Sequence, residues 1–367
     1  MEVTVTLFAR TGGGEENTVM ANTVEEEGEM EVNSQEQPSE MQDVGTSPEV
    51  IALPDNTPCQ VDKCIDFVAV NQHGHLLMGS SSLTGRYWGG SLWYYDDPAL
   101  APDVEKCKAG YETTSGMADG AFLDNDKTVI VGQDCGAVQF MSVCLDGDQR
   151  GIKSQCQVDE HLDAVHSVKV MPGRKHALTG SADMSIRLWD CETCLVVRMF
   201  LPAHSQMVKD LAPHPTNDQI FLSCSMDGNV LLWDLRSQKP ASCVYRDYSL
   251  KPECVTWLEG AGEGQYLVGL QNGKVAQRCI KDLNFDLTSF YALQRPLYRI
   301  AVNPKRLTQF AVCGNDSRVV VVDAAEGSLR LRYEDDHHTD FVRGLAWQDA
   351  DTFISCGWDT SVLVHKL

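Results

Sequence analysis

An internal repeat is the feature that most constrains how this chain folds. The segments SADMSIRLWD (181–190) and SMDGNVLLWD (225–234) align without a gap. Their tryptophans, Trp189 and Trp233, are therefore 44 positions apart. A turn acid or amide recurs at similar steps along the chain: Asp134, Asp183, Asp227, Asn272, Asp316 and Asp359. Every other motif must first be considered as part of a repeating unit.

The repeat predicts an all-β fold. One further step back leads to GGSLWYY, where Trp93 takes the position of the tryptophan, so the count reaches seven. Residues 58–367 then hold seven units of about 44 residues, a length typical of four-stranded propeller blades. Neighbouring blades cover the apolar faces that each small sheet would otherwise expose. We predict a seven-bladed β-propeller, closed by a strand at Pro58–Lys63, because the chain ends after the third strand of the seventh unit.

Charge separates the first 57 residues from the rest of the chain. The formal net charge is −22, from 30 Lys and Arg against 52 Asp and Glu. Residues 1–57 hold 13 acidic side chains and one base, Arg10, so they carry −12 and residues 58–367 carry −10. The segment has too few apolar residues to offset the entropy of ordering. We predict a disordered acidic tail at 1–57, either a docking segment for a basic partner or a solvated leader, and a propeller at 58–367.

Composition also narrows the functional classes. The acidic excess opposes direct binding to nucleic acid phosphates. No run approaches the ~18 consecutive apolar residues that a membrane span needs. The first ten residues lack a basic, apolar leader, and the 14 scattered cysteines fit free thiols. We therefore expect a cytoplasmic and nuclear protein that contacts neither nucleic acid nor a membrane directly.

Three units each contain a histidine, a hydroxyl side chain and an aspartate, the residue types of a hydrolase triad. Repetition argues against catalysis, because an enzyme needs only one such site. The units resemble WD repeats, in which these residues and the strand tryptophan form a buried hydrogen-bond network. The residues predicted for this network are His161, Thr179, Asp183, Trp189, His204, Ser223, Asp227, Trp233, His338, Ser355 and Asp359.

The remaining motifs predict no cofactor or metal. Cys191 and Cys194 form a lone CxxC, whereas a zinc site would need a second pair or nearby histidines. The pair follows Trp189 and Asp190 in a predicted turn, which favours a structural role. A phosphate-binding GxxxxGK[ST] loop is absent from the sequence. We predict a protein that is not an enzyme.

Unit 1 carries an insertion between its second and third strands. Other units turn there in about two residues, as at Asp227-Gly228, whereas here a much longer segment separates Met78 from Trp93. The predicted loop carries Arg86, Tyr87 and Trp88 near its tip. Arginine and large aromatic residues carry much of the binding energy at protein interfaces. The loop therefore either presents its tryptophan to a partner or folds that tryptophan back over the propeller rim.

The chain is similar to the WD-repeat subunit of the methylosome. The resemblance rests on SSLTGRYWGGSLWYYDDP in unit 1, LSCSMDGNVLLWD and KPAS in unit 4, and HTDFVRGLAW in unit 7, and it does not extend to residues 1–57. It implies a non-catalytic adaptor that binds the protein arginine methyltransferase producing symmetric dimethylarginine. Trp88 would be the anchor and Arg86 its polar neighbour, with Tyr87 and Phe341 in the same partner-binding set. It also implies presentation of arginine-rich substrates such as Sm proteins and histones, which acidic charge attracts.

Two other functions stay open from the sequence. A generic WD-repeat scaffold, such as a ubiquitin-ligase substrate receptor, would be favoured if the unit 1 loop were dispensable for all partners. A propeller enzyme would need one asymmetric polar cluster in the central channel, and the repeats supply none. Acidic clusters at Asp159-Glu160 with Asp163 and at Glu334-Asp335-Asp336 are expected in loops on one common face, either as partner contacts or as ordinary solvated turns.

Overall fold

The computed structural model describes residues 57–84, 87–123, 127–145, 151–283, 285–325 and 327–367. Its 27 β-strands form seven sheets, called blades 1–7 in chain order. The predicted seven-bladed propeller is confirmed. Apart from Thr57, the predicted acidic tail lies outside the described residues.

The first three blades have four antiparallel strands each. Blade 1 comprises β1 (Cys64–Val70), β2 (Leu76–Thr84), β3 (Tyr87–Tyr95) and β4 (Ala109–Thr113). Blade 2 comprises β5 (Met117–Phe122), β6 (Thr128–Gln133), β7 (Val138–Cys144) and β8 (Gly151–Val158). Blade 3 comprises β9 (Val165–Val170), β10 (His176–Ser181), β11 (Ile186–Asp190) and β12 (Leu195–Phe200).

The next three blades repeat this order, and the seventh sheet has three strands among the described residues. Blade 4 comprises β13 (Val208–Pro213), β14 (Ile220–Ser225), β15 (Asn229–Asp234) and β16 (Ser242–Arg246). Blade 5 comprises β17 (Pro252–Trp257), β18 (Gln265–Leu270), β19 (Lys274–Cys279) and β20 (Thr288–Tyr291). Blade 6 comprises β21 (Leu297–Val302), β22 (Gln309–Gly314), β23 (Val319–Ala325) and β24 (Ser328–Asp335). Blade 7 comprises β25 (Val342–Trp347), β26 (Thr352–Gly357) and β27 (Val362–Lys366). Among the residues that the structure describes, short 3₁₀ turns lie at Pro98–Leu100, Val104–Lys106 and Glu259–Ala261.

The first strands of the blades form the inner ring. Each contacts the first strand of the next blade, and β25 contacts β1, which closes the ring. The core lies between neighbouring blades. Trp189 packs against Phe140 of blade 2, and Trp233 packs against Phe200 of blade 3. This burial explains why short runs of β-branched and aromatic residues form strands here.

The closing strand predicted at Pro58–Lys63 is wrong: the described residues 57–63 form no strand. Side chains hold this segment instead. Asp62 accepts a hydrogen bond from Ser91 Oγ of blade 1 at 2.7 Å, and the Lys63 carbonyl accepts one from Thr360 Oγ1 of blade 7 at 3.1 Å. Val61 is partly buried against the core shared by these two blades. The segment therefore crosses the seam as an irregular connection.

Two sets of connections lie at one end of the ring. Strands alternate in direction within a blade, so the turns from second to third strand share an end with the connections from each blade to the next. We call this end the upper face. It carries the aspartates of the predicted networks and the tip of the blade 1 hairpin.

Candidate partner-binding site

Blade 3 brings its four predicted network residues together. His161 Nδ1 lies 3.0 Å from Asp183 Oδ2, and His161 Nε2 lies 2.7 Å from Thr179 Oγ1. Trp189 Nε1 donates to the same hydroxyl at 2.8 Å. Burial lowers the pKa of His161. Although burial also raises the pKa of Asp183, hydrogen bonds from His161, the Ser185 hydroxyl and a backbone amide hold that pKa below its usual range.

Blade 4 repeats this arrangement with different side chains. His204 Nδ1 lies 2.9 Å from Asp227 Oδ2, and His204 Nε2 lies 2.7 Å from Ser223 Oγ. Trp233 Nε1 donates to Ser223 Oγ at 2.8 Å. The turn after the aspartate needs Gly228, whose φ is +85° and whose added Cβ would lie 2.4 Å from the Asp247 carbonyl oxygen.

Blade 7 contains the third network, with a histidine in place of the tryptophan. His338 lies 2.9 Å from Asp359 Oδ2 and 2.8 Å from Ser355 Oγ. His365 Nε2 lies 2.7 Å from the same serine hydroxyl. Burial lowers the pKa of His365 to about 4, so this ring is neutral at pH 7.

The three sets are structural networks. Each hydroxyl is buried and already engaged by a histidine and by a tryptophan or second histidine. A nucleophile must face a space that can hold substrate. These hydroxyls instead link two strands and a turn, and the geometry gives them no route to a substrate.

The blade 1 insertion is a hairpin, where the sequence predicted a loop. Both β2 and β3 are nine residues long, whereas the corresponding strands of blade 3 have six and five. Their pairing continues to Thr84 opposite Tyr87. Three extra residues at ~3.3 Å each make the paired strands about 10 Å longer than those of blade 3. Paired backbone makes the hairpin a firmer projection than a loop would be.

Trp88 lies near the tip of this hairpin, and 62% of its surface is exposed. It pairs with Leu83 across the hairpin. Of its predicted neighbours, Arg86 lies outside the described residues, and Tyr87 is described only as the first residue of β3. An exposed fraction of this size argues against a ring buried under the propeller rim.

The base of the hairpin is tightly seated. A Cβ added to Gly90 would lie 2.7 Å from the Ser115 carbonyl oxygen and 2.9 Å from that of Ser80. Beside it lies a cavity of about 240 Å³ whose lining residues include Asp62 and Glu112. A cavity bordered by two acids at the foot of a projecting tryptophan suits a cationic side chain of a partner.

Phe341 lies elsewhere on the upper face, in the connection that precedes β25. Its ring is half-buried and centred 5.8 Å from that of Trp358. The Arg343 guanidinium lies over both rings, 4.2 Å from the Trp358 centroid and 5.5 Å from the Phe341 centroid. Trp358 Nε1 also donates to Asp66 Oδ1 of blade 1 at 2.9 Å. The structure therefore places Phe341 in an aromatic cluster at the seam between blades 7 and 1.

The sequence missed this seam cluster and a second polar cluster inside the ring. Arg299 of blade 6 donates to Asp119 of blade 2 at 2.7 Å across the centre of the ring. Lys169 lies 3.4 Å from Asp119 and 3.3 Å from Asp210. Burial raises the pKa of Asp119, but the charges of Arg299 and Lys169 outweigh it and hold that pKa below its usual range. The sequence signal for this cluster was the presence of charged residues in first strands that are otherwise apolar.

The predicted acidic clusters lie at the upper ends of their blades, but the expectation that both lie in loops is wrong in part, because Glu334 and Asp335 are the last two residues of β24. Glu160 pairs with Arg187 at 3.1 Å, and Asp159 and Asp163 are exposed. Glu334 pairs with Arg318 at 3.0 Å. Part of the acidic charge is therefore locally neutralised, while the remainder faces solvent beside the hairpin's end of the ring.

The predicted CxxC lies in the turn between β11 and β12, and neither of its cysteines forms a disulfide. Within the described ranges, no group of three or more His, Cys, Asp or Glu side chains is placed to hold a metal ion. Across the same part of the chain, no helix is long and apolar enough to cross a membrane.

Comparison with known families places three stretches in a repeat family. The WD40 model, described as WD domain, G-beta repeat, matches residues 152–190, 194–234 and 329–366. Each match holds the outermost strand of one blade and the first three strands of the next. The repeat of the sequence is thus offset by one strand from the blade of the structure.

Known proteins resemble the chain to different extents. Methylosome protein WDR77 of Xenopus laevis is 33% identical over 319 residues, which cover 86% of this chain and 92% of that protein. Protein valois of Drosophila melanogaster is 22% identical over 329 residues, covering 85% and 88%. DDB1- and CUL4-associated factor 10 of Homo sapiens is 26% identical over 119 residues, covering 30% and 21%. A chain solved in the COPII outer coat vertex on membranes superposes with a TM-score of 0.68 at 16% identity, covering 83% of this chain and 84% of that chain, which supports the fold alone.

Proposed function

Because this chain belongs to the WD-repeat family of Methylosome protein WDR77, we propose that it is the non-catalytic adaptor subunit of a methylosome. It binds the protein arginine methyltransferase of that complex through the blade 1 hairpin. The observation that carries this assignment is Trp88, exposed near the tip of a paired, projecting hairpin. Large aromatic residues in such positions are the residues that anchor protein interfaces.

The surroundings of the hairpin support the same contact. Asp62 and Glu112 border the cavity at its foot, so a partner with a lysine or arginine beside its tryptophan pocket would be complementary. Gly90 fixes the hairpin base against the connection between blades 1 and 2, which limits the entropy lost when the tip is bound. Phe341 contributes less in this proposal, because its ring is already packed on Trp358 and Arg343.

Presentation of arginine-rich substrates such as Sm proteins and histones is the second part of the proposal. Asp159, Asp163 and Asp336 are among the acids exposed on or next to the upper face, and they attract basic tails over several ångströms in a salt-dependent way. The same acidic charge opposes direct binding to nucleic acid. We place the protein in the cytoplasm and nucleus, because free thiols are the usual state there. Fractionation of cells tests the location.

The test of the methyltransferase contact is calorimetric titration of the purified enzyme with wild-type and Trp88→Ala chains. Loss of a central aromatic contact should cost about 2 kcal/mol or more, which is ~30-fold in Kd. Tyr291→Ala is the matched control, since it removes an equally exposed aromatic from blade 5 and should leave Kd unchanged. If the folded Trp88→Ala chain bound with an unchanged Kd, the proposal that the hairpin forms the interface would be wrong.

A ubiquitin-ligase substrate receptor is the second candidate, favoured by the similarity to DDB1- and CUL4-associated factor 10. That similarity covers 30% of the chain, against 86% for the methylosome relative. Repeated WD units alone produce such partial matches, so the methylosome assignment has the stronger support. Binding of purified DDB1 instead of the methyltransferase would reverse this order.

A further inference from the structure

The outer edge of blade 3 is apolar. Along and just after β12, alternate residues are exposed by 63%, 56%, 48% and 67%: Leu195, Val197, Met199 and Leu201. Large patches of this kind on a soluble protein mark interaction sites, whereas single exposed apolar residues do not.

The apolar surface continues onto the upper face. Leu162 is 90% exposed, and its amide donates to Asp183, the residue before exposed Met184. The Met184 carbonyl accepts a hydrogen bond from the Ala203 amide at 3.0 Å, two residues after Leu201. We call the six residues Leu162, Met184, Leu195, Val197, Met199 and Leu201 the blade 3 rim.

Blade 6 shows that the propeller fold does not require this composition. Its outermost strand β24 has the same register shift, and the residues equivalent to Leu195, Val197 and Met199 are all charged: Arg330, Arg332 and Glu334. All three are exposed. Charged side chains protect a free strand edge from pairing with other chains. Blade 3 lacks this protection at the positions where blade 6 has it.

The backbone of β12 is available for pairing. In the sheet order β12 is the outermost strand, and among the described residues it is paired only with β11. An exposed edge whose outward residues are aliphatic is the surface used for strand addition, in which the backbone supplies affinity and alternate side chains supply specificity.

Charge indicates what kind of strand is added. Leu162, at the upper end of the rim, is flanked by the exposed acids Asp159, Glu160 and Asp163. A second copy of this chain would bring its own charge of −22 and would be repelled. Arg198, the basic residue within β12, is engaged by the carbonyls of Leu235 and Ser237.

We propose that the blade 3 rim is a second docking surface, distinct from the blade 1 hairpin. It takes an extended segment of another protein with aliphatic side chains at alternate positions. The end of this segment that reaches Leu162 carries arginine or lysine. The segment adds to β12 as a fifth strand of blade 3.

The probe for the test is a fluorescein-labelled peptide that begins with two arginines and continues with alternating valine and threonine. Its anisotropy is measured with the full chain. The decisive variant combines Leu195→Arg, Val197→Arg and Met199→Glu, which copies the residues that β24 carries at the same register and so keeps the strand foldable. We expect this variant to weaken binding at least ~10-fold. A scrambled peptide should bind weakly to both chains.

Two further variants separate the contributions. Asp159→Asn with Asp163→Asn should weaken binding about threefold at low salt and have little effect at high salt. Giving β24 the β12 pattern, with Arg330→Leu, Arg332→Val and Glu334→Met, should create a second peptide site. Circular dichroism and unchanged methyltransferase affinity confirm that the rim variants are folded and that the hairpin is intact.

Several results would overturn the proposal. Equal binding of the peptide by the wild type and the triple variant would show that the peptide does not bind at the blade 3 rim. Equal binding of the scrambled peptide would show that the probe binds through nonspecific apolar contact and not by strand addition. A wild-type dimer in sedimentation that the triple variant abolishes would make a second copy the occupant. Tighter peptide binding after deletion of residues 1–56 would assign the rim to the chain's own amino-terminal segment.

Discussion

Replacing Asp227 by Ala should destabilise the whole propeller, although the residue lies in a turn. Asp227 Oδ2 accepts hydrogen bonds from His204 Nδ1 at 2.9 Å and from the Ser205 amide at 3.1 Å. Oδ1 accepts one from the Asn229 amide at 3.0 Å. The side chain of His204 is fully buried, so its orphaned N–H costs about 1–3 kcal/mol. The two amides add about 0.5 kcal/mol each, because water reaches the turn.

The expected total is about 2–4 kcal/mol, or roughly 3–6 °C in Tm. Urea unfolding followed by tryptophan fluorescence measures it. Asp316→Ala is the matched control from blade 6, where the carboxylate bonds the partly exposed Arg318 at 3.2 Å, and it should cost under ~1 kcal/mol. Equal losses for the two variants would refute the role given to the buried histidine. A serine-reactive probe should leave Ser223 unlabelled in the folded chain.

Three other outcomes can be measured on the same protein. Asp119→Ala should cost about 3 kcal/mol or more in urea unfolding, because Arg299 stays buried without its partner. Burial raises the pKa of Asp66 from 3.8 to about 7. The folded state therefore keeps a proton that the unfolded state has lost, so the contribution of Asp66 to stability falls as pH rises from about 4 to about 7. Asp66→Asn should remove this contribution in unfolding measured across the range. Ellman's reagent should label exposed Cys59 and Cys135 in the native chain, while mass spectrometry finds four buried thiols labelled only after denaturation: Cys224, Cys254, Cys313 and Cys356.

The networks could be predicted because their chemistry is carried by residue type at fixed spacing. A histidine, a hydroxyl, an aspartate and a tryptophan recur together, and a buried network leaves few substitutes. The blade 1 hairpin was harder, since SSSLTGRYWGG has the serine, threonine and glycine content of a loop. Strand pairing there depends on backbone hydrogen bonds and a pairing partner nine residues long, which composition does not show.

The sequence alone could not have shown that Asp119 and Arg299 form an ion pair inside the ring. Asp119, Asp210 and Arg299 each follow the bulged residue of their first strand, so repeat alignment brings them to equivalent levels. Which acid meets which base depends on the diameter of the closed ring. The seam cluster has the same origin, because Trp358 and Asp66 are separated by 292 residues and meet only when blade 7 reaches blade 1.

The hydrogen bond between Asp119 and Arg299 also depends on the number of blades in the ring. Its partners are 180 residues apart, and the entropy of closing so long a loop means that the bond forms only after the intervening blades have assembled. A chain emerging from the ribosome acquires it late. A repeat array with one unit lost or duplicated would set the two residues at a different angle around the ring. Arg299 would then be buried without its carboxylate, and Asp119 would keep only Lys169 as a partner. In this chain the pairing of one carboxylate with one guanidinium therefore favours a ring of seven blades.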